Sequence, residues 1–588
     1  MRISNIKIRN FRSIREVEFC PRSISTFIGK NSNGKSNILK AIEFFFRASA
    51  SKASADDVCQ FSDDAGTWVE CTFTNLTAIE REKLGKYALM DGTARFRRTL
   101  IRDNQSAKTE VQGYIDHPTD DWLRSDFDRY SDKDFWQERE INVFDYADRP
   151  ASGRITRAVH AEFCTNYIAR HINTLNIEQV LSTTQATGRQ STFAGVLPQL
   201  IYVPAVGDIV PEIYGKKSSL MNIIVGNAIK AAQDSELYRD ASSKLDEVQG
   251  FVNPSEHRLP SLSSIESSLE ERLASWPGIR CSIKTEIGDL SDLIISGLKL
   301  SIHDGIDSDL GNKGDGIQRQ VLFQVFRLYS DYKKRCGIFA DEQDGEEESN
   351  SVIIIFEEPE LFLHPQAQEQ FYDDLIAVSE TDQVFLATHS NHLLRLEFAD
   401  SLYIVRRSGL NEPSVISGPS DRWADNGERA IAKEIDFFNS EIAKMFFADH
   451  IIITEGPEDV VYITAAARQS GVFSRTVSVV PAGGIQGIPR LQRILNALKV
   501  PYSIAHDNDP GNDVTQRTAL EIASLAATAQ QNGHICQVQV FNDTLPHEYF
   551  DGDLPEGGSK VEKALSLIQN TPASRAFCTR IRQLYSID

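Results

Sequence analysis

The chemistry with the tightest spacing lies near the start of the chain, in Gly29-Lys30-Asn31-Ser32-Asn33-Gly34-Lys35-Ser36. This stretch fits G-x-x-x-x-G-K-[ST] at every fixed position, between a strand-like Ser25–Ile28 and a helical Asn37–Arg47. Gly29 and Gly34 let the backbone N–H groups approach phosphate, and the following helix N-terminus, with Asn37, adds a favourable dipole. Asn31 and Asn33 lie within the same cradle. Lys35 is expected to reach the β- and γ-phosphates of a nucleoside triphosphate, and Ser36 to ligate its Mg²⁺.

Carboxylates suited to complete such a site stand more than 300 residues away. The strand-like Ser351–Glu358 ends in Glu357 and Glu358. Acids at the end of a buried strand can hold a metal shell, here Glu357, and polarise an attacking water, here Glu358. Pro359-Glu360-Leu361-Phe362-Leu363-His364-Pro365 follows, and Thr388-His389-Ser390 comes after one further strand.

A second set of acids is spread through the last third. Glu455 and Asp459 flank Pro457 at the start of an expected helix, four residues apart and so able to share a face. His506-Asp507-Asn508-Asp509 ends the strand Tyr502–Ala505. In extended chain, Asp507 and Asp509 project to one side and can share a cation. Acids at the ends of adjacent parallel strands converge on one crevice. An all-oxygen set favours Mg²⁺ or Mn²⁺ over zinc. Glu548 offers a further acid. Lys560 offers a cation for a phosphate transition state, with Lys563 in competition.

The elements that must position these groups alternate strand and helix, which predicts an α/β fold. The N-terminal strand, loop and helix lead into residues 51–190, which read as polar and irregular apart from strand-like Trp68–Asn75 and Arg95–Arg102. Leu197–Pro204 reads as a buried strand, 206–275 as helical, and 279–302 as strand. The glycine-dense Gly311–Gly316, carrying Gly314 and Gly316, then leads into a helix. A boundary is expected within 408–440, followed by a small parallel α/β domain.

At 588 residues the chain exceeds one core and implies several domains. The eight cysteines form no CxxC pair, which argues against a zinc site or a disulfide framework. A net charge of −21 argues against a simple DNA coater but not against a nucleic-acid enzyme, whose metal-binding acids add to that total. The apolar runs are strand length, and no signal peptide opens the sequence. A cytoplasmic location without membrane association is expected.

The order of motifs from Gly29 to His389 is similar to the ATPase heads of RecF and SMC proteins. That resemblance implies that His389 senses the γ-phosphate and that Gly314 and Gly316 contact ATP held by a second subunit. Strand-Glu455-Gly456, Gly483-Gly484 and Asp507-x-Asp509 look like a TOPRIM domain. Together with Asn10–Ser13, EEPE at Glu357–Glu360 and Leu363–Pro365, the whole resembles the OLD (overcoming lysogenization defect) family of nucleases.

The resemblance implies an ABC-type ATPase head in two parts (1–205, with 51–190 variable, and 276–410). A helical dimerisation insertion at 206–275 and a TOPRIM nuclease domain at 440–588 complete it. It also implies ATP and Mg²⁺ or Mn²⁺ as cofactors, DNA as substrate, a homodimer or higher homo-oligomer, and a role in antiphage defence. A defence-system partner, either a helicase subunit or a retron RNA with its reverse transcriptase, belongs to the same implication. The alternative is a RecF- or SMC-like ATP-driven DNA clamp or sensor that does not cut.

Overall fold

The computed structural model describes residues 1–46, 57–61, 66–103, 106–124, 127–147, 153–171, 174–182, 196–214, 219–225, 233, 235–252, 264, 267–268, 290, 293–294, 297–303, 305–339, 352–394, 401–407, 412–418, 445–509, 511–542, 544–550, 561, 564–565, 568–569 and 571–586. In chain order its strands begin with β1 (Arg2–Phe11), β2 (Ile14–Phe19), β3 (Ile24–Ile28), β4 (Thr67–Thr74), β5 (Ala94–Asp103) and β6 (Ser106–Pro118). Next come β7 (Ile177–Leu181), β8 (Gln199–Val203), β9 (Ser301–His303), β10 (Asp307–Asp309), β11 (Val352–Glu357) and β12 (Gln383–Ala387). The series ends with β13 (Leu402–Arg406), β14 (Val415–Ser417), β15 (His450–Thr454), β16 (Val477–Pro481), β17 (Tyr502–Asp507) and β18 (Cys536–Phe541).

The chain divides into two compact units, one made of Met1–Pro198, Glu346–Ser351 and Leu396–Asp588, the other of Gln199–Gly345 and Val352–Arg395. In the first unit an antiparallel sheet runs β2-β1-β4-β5-β6-β7. Its strands alternate: Ile6, Ile8, Val69, Cys71, Phe96 and Leu100 are buried, while Lys7, Trp68, Arg95 and Arg97 face outward. Within 51–190, β4 and β5 stand where Trp68–Asn75 and Arg95–Arg102 read as strand, and β6 and β7 add strand to chain expected to be irregular. Its polar composition reflects the outward face. Beside it, Trp122, Trp136, Val159 and Phe163 build a small aromatic core of their own.

The same unit holds β3, paired in parallel with β13, which in turn pairs antiparallel with β14. It also holds a parallel sheet in the order β16-β15-β17-β18. Strand β15 is fully buried on both faces, which its run His-Ile-Ile-Ile-Thr allows.

In the second unit β11 lies between β12 and β8, parallel to both. Val352–Phe356 has no polar side chain and is buried throughout, as a central parallel strand requires. Of the expected helical stretch 206–275, the described residues include the helices Val210–Ile213 and Glu236–Val252. Most of the strand expected over 279–302 lies outside the described residues, and Ser301–His303 is strand. Among the described residues, no helix is long and apolar enough to cross a membrane.

Candidate functional site

The phosphate loop leaves β3 at Ile28 and enters the helix Lys35–Phe46. Gly29 has φ +144° and Gly34 φ +104°, conformations that L side chains rarely adopt. Space forbids side chains there as well. A Cβ on Gly29 would stand 2.2 Å from the Val405 carbonyl oxygen, and one on Gly34 would stand 2.4 Å from Ser414 Oγ and 2.7 Å from Ser13 Oγ.

Polar contacts fix the loop from the same side. Asn33 donates to the Val405 carbonyl at 3.0 Å, and Asn37 donates to Ser13 Oγ at 2.8 Å. Ser13 and Ser414 share a 2.8 Å hydroxyl contact, and the Ser414 N–H donates to the Ser13 carbonyl. Lys35 curls back to donate to the carbonyls of Gly29 and Lys30, at 2.9 and 3.2 Å, and the Lys30 ammonium pairs with Asp449. Ser36 is half-buried and Asn31 exposed. Nothing local in the sequence marks Val405 or Ser414 as parts of this cradle. The serine of the Asn10–Ser13 motif was the one legible sign.

In the second unit, Glu357 closes β11 and its Oε2 accepts a 2.7 Å hydrogen bond from the Tyr202 hydroxyl of neighbouring β8. Glu358 follows in a left-handed conformation, φ 45° and ψ 55°, which turns the chain sharply out of the strand. Its carboxylate stands 3.4 Å from His389 Nε2. Glu360 accepts from the Thr388 hydroxyl at 2.8 Å and from the His389 N–H at 2.5 Å. Burial, first among its influences, pushes the Glu360 carboxyl up.

In the Gly311–Gly316 loop, Asp309 accepts from the Gly311 N–H, while Gln318 ties back to the Lys313 carbonyl at 2.8 Å. A Cβ on Gly314 or Gly316 would meet nothing within 4 Å. This loop face is open.

In the parallel sheet of the first unit, Thr454 pairs with Ala505 across β15 and β17. That register brings Glu455, just past β15, beside Asp507, the last residue of β17. The Asp507 N–H donates to Glu455 Oε1 at 2.8 Å. Asp459, buried in the first turn of the helix Pro457–Gln469, accepts from the Gly456 N–H at 2.8 Å. The Leu545 N–H donates to Asp507 Oδ1 at 2.8 Å.

Burial above all, then the charges of Asp459, Glu455 and Glu458, raises the Asp507 carboxyl from 3.8 to about 7, with the Leu545 N–H opposing. In the sequence nothing sets Glu458 apart, since a helix N-terminus is an ordinary place for an acid. Gly484 donates to the Glu455 carbonyl at 2.7 Å, so the Gly483-Gly484 pair braces the same corner.

Asp509 lies exposed in the loop beyond the strand end. Glu548 spends its two oxygens elsewhere, one on the Asn542 N–H at 2.9 Å and the other on Arg580 at 2.7 Å. Lys560 and Lys563 fall outside the described residues. Among the described residues, no three His, Cys, Asp or Glu side chains draw close enough to hold a metal ion as they stand. The donor chemistry nevertheless fits a hard divalent cation. Partial burial and then negative neighbours push the Asp507 carboxyl up, and a cation relieves that repulsion.

The AAA ATPase domain family matches residues 1–394, and the overcoming lysogenization defect protein-like TOPRIM domain matches residues 446–509. The chain belongs to the AAA ATPase domain family. Its head is an ATPase domain, its C-terminal part is a TOPRIM domain, and the two together use nucleotide and divalent metal.

The Old nuclease of Escherichia phage P2 is 20% identical over 87% of this chain and 77% of its own length. The OLD nuclease of Thermus scotoductus is 28% identical over 34% of this chain and 37% of its own. Endonuclease GajA of Bacillus cereus is 22% identical over 78% of this chain and 66% of its own. This chain joins an ATPase domain to an OLD-like TOPRIM domain.

Proposed function

We propose that this OLD-type protein is an ATP-hydrolysing DNA endonuclease whose TOPRIM acids hold Mg²⁺ or Mn²⁺. The observation that carries the reading is the crowding of Asp507 by Asp459, Glu455 and Glu458 at the ends of two adjacent parallel strands. Glu455, Asp459 and Asp507 are the residues that would hold metal, with Asp509 able to join from its exposed loop. When bound, such ions supply the charge that lowers the pKa of water and stabilises a leaving oxygen. The chain itself fixes the carboxylates: main-chain N–H groups of Asp507, Gly456 and Leu545 orient them without neutralising them.

For ATP, Lys35 binds the β- and γ-phosphates and Ser36 and Glu357 hold Mg²⁺. Glu358 orients the attacking water, with His389 beside it. Gly314 and Gly316 would meet ATP held by a second copy, so a homodimer or larger homo-oligomer is the working form. An antiphage role with a helicase subunit or a retron partner completes the proposal.

The test is one cleavage assay on supercoiled DNA with the full-length protein. It crosses Mg²⁺, Mn²⁺ and chelator with ATP, a non-hydrolysable analogue and no nucleotide. The parent cuts with metal, and Asp507→Asn does not cut while still hydrolysing ATP. Cutting by Asp507→Asn at the parent rate would overturn the assignment.

The engagement of Glu548 by Arg580 favours, to a lesser degree, a second reading in which the TOPRIM part only binds DNA. ATP-dependent retention of DNA with no cleavage under any metal would establish that reading instead.

A further inference from the structure

In the second unit the Glu360 carboxylate does more than continue the acidic run after β11. One of its oxygens accepts both the Thr388 hydroxyl at 2.8 Å and the His389 main-chain N–H at 2.5 Å. Thr388 is fully buried, and its hydroxyl oxygen also accepts the Ser390 N–H at 2.9 Å. The next turn adds a parallel tie. Gln368 donates to the Leu363 carbonyl at 2.8 Å and accepts from the Ser390 hydroxyl.

Thr388 and His389 are thus pinned to Glu360 in the turn that follows β11, and Ser390 to Gln368 in the helix Pro365–Ser379. Pinning at that point sets where the His389 ring lies. Its Nε2 stands 3.4 Å from Glu358, on a residue whose own left-handed backbone is held by a 2.8 Å hydrogen bond from the Glu358 N–H to the Ala387 carbonyl.

The other Glu360 oxygen is buried with no hydrogen-bond partner among the described residues. A buried carboxylate oxygen left unpaired is costly, so its retention points to the work of the paired one.

We propose that Glu360 is a positioning residue for ATP hydrolysis, fixing the main chain of Thr388 and His389 so that the His389 imidazole meets Glu358. The inference rests on the reading that Glu358 and His389 act on ATP. Glu360 itself touches neither nucleotide nor water in this role.

The test uses steady-state ATPase kinetics of the full-length protein with four variants: Glu360→Met, Glu360→Gln, His389→Ala, and Glu360→Met combined with His389→Ala. Methionine keeps the volume and removes the acceptor, whereas glutamine keeps an acceptor oxygen. Displacing a catalytic group by a fraction of an ångström to one ångström costs about 10- to 100-fold, so Glu360→Met should lose that factor in kcat. KM should stay within about twofold, because ground-state binding is untouched. Glu360→Gln should recover most of the rate, and the double variant should be no slower than His389→Ala alone.

Parent-like kcat in Glu360→Met, or a loss that multiplies in the His389→Ala background, overturns the proposal. Should Glu360→Met fail to fold, Thr388→Val removes one anchor of the same segment and is judged by the same two criteria. A His389→Ala variant with parent kcat would instead overturn the role of His389, which keeps the two failures apart.

Discussion

The two acidic centres of this chain are built on opposite electrostatic plans. In the second unit the acids at the end of β11 meet side chains: Glu357 accepts from the Tyr202 hydroxyl, Glu360 accepts from the Thr388 hydroxyl, and Glu358 stands beside the His389 imidazole. At the ends of β15 and β17, main-chain N–H groups donate to Glu455, Asp459 and Asp507, and the acids Asp459, Glu455 and Glu458 act on Asp507. Side-chain donors tune a carboxylate for handling water and protons. Main-chain amides orient it while leaving the repulsion in place for a cation to relieve.

If that contrast is right, removing Asp507 should be the most damaging single change. Asp507→Ala is expected to slow DNA cleavage about a thousandfold or more, since the metal's charge stabilisation is worth several kcal/mol. ATP hydrolysis measured on the same sample should change little. Equal losses in both would break the distinction between the centres.

The pH dependence of stability sharpens it next. The folded protein holds the Asp507 proton up to about 7 against 3.8 for the free group. The folded form therefore binds more protons between those values. Metal-free protein gains this stability fully below pH 4 and loses it as pH rises through 7, by up to about 4 kcal/mol. Chemical denaturation at pH 4.5 and 8 in chelator reads the difference, and Asp507→Asn should flatten it. A slope of the opposite sign that persists in Asp507→Asn would show that another group dominates.

On the other side of the comparison, Glu358→Gln should cut ATP hydrolysis about a hundredfold, as loss of a water-orienting base does. Binding of a fluorescent ATP analogue should be retained. Smallest of all, Tyr202→Phe removes one neutral hydrogen bond to Glu357 and should cost about 1 kcal/mol, a several-fold loss in ATPase rate at limiting Mg²⁺. No change at limiting Mg²⁺ would mean that Tyr202 does not tune the metal-binding acid.

What could be read from the sequence follows from how local each feature is. Gly29–Ser36, the buried run Val352–Phe356, and the alternation after residue 450 each carry their signal within ten or so residues. Tyr202 beside Glu357, Glu360 under His389, and Val405 and Ser414 against the phosphate loop are contacts across 29 to 401 positions, set by sheet register and packing. Arg580 on Glu548 belongs to the same class. β4 and β5 were legible as the strand-like Trp68–Asn75 and Arg95–Arg102, whereas β6 was hidden for another reason. Ser106–Pro118 carries so many polar residues that the apolar half of the alternation is diluted.

The strand pairing of β13 with β3 also bears on where this protein can be cut. The matched ATPase region stops at residue 394, yet Val405 and Ser414, beyond that point, form the floor beneath Gly29 and Gly34. A fragment truncated at 394 would keep every residue of the nucleotide motif and lose the surface that shapes it, together with β13, the parallel partner of β3 on that side. For expression of an isolated head, the useful end point lies past Ser417, not at the end of the recognisable motifs.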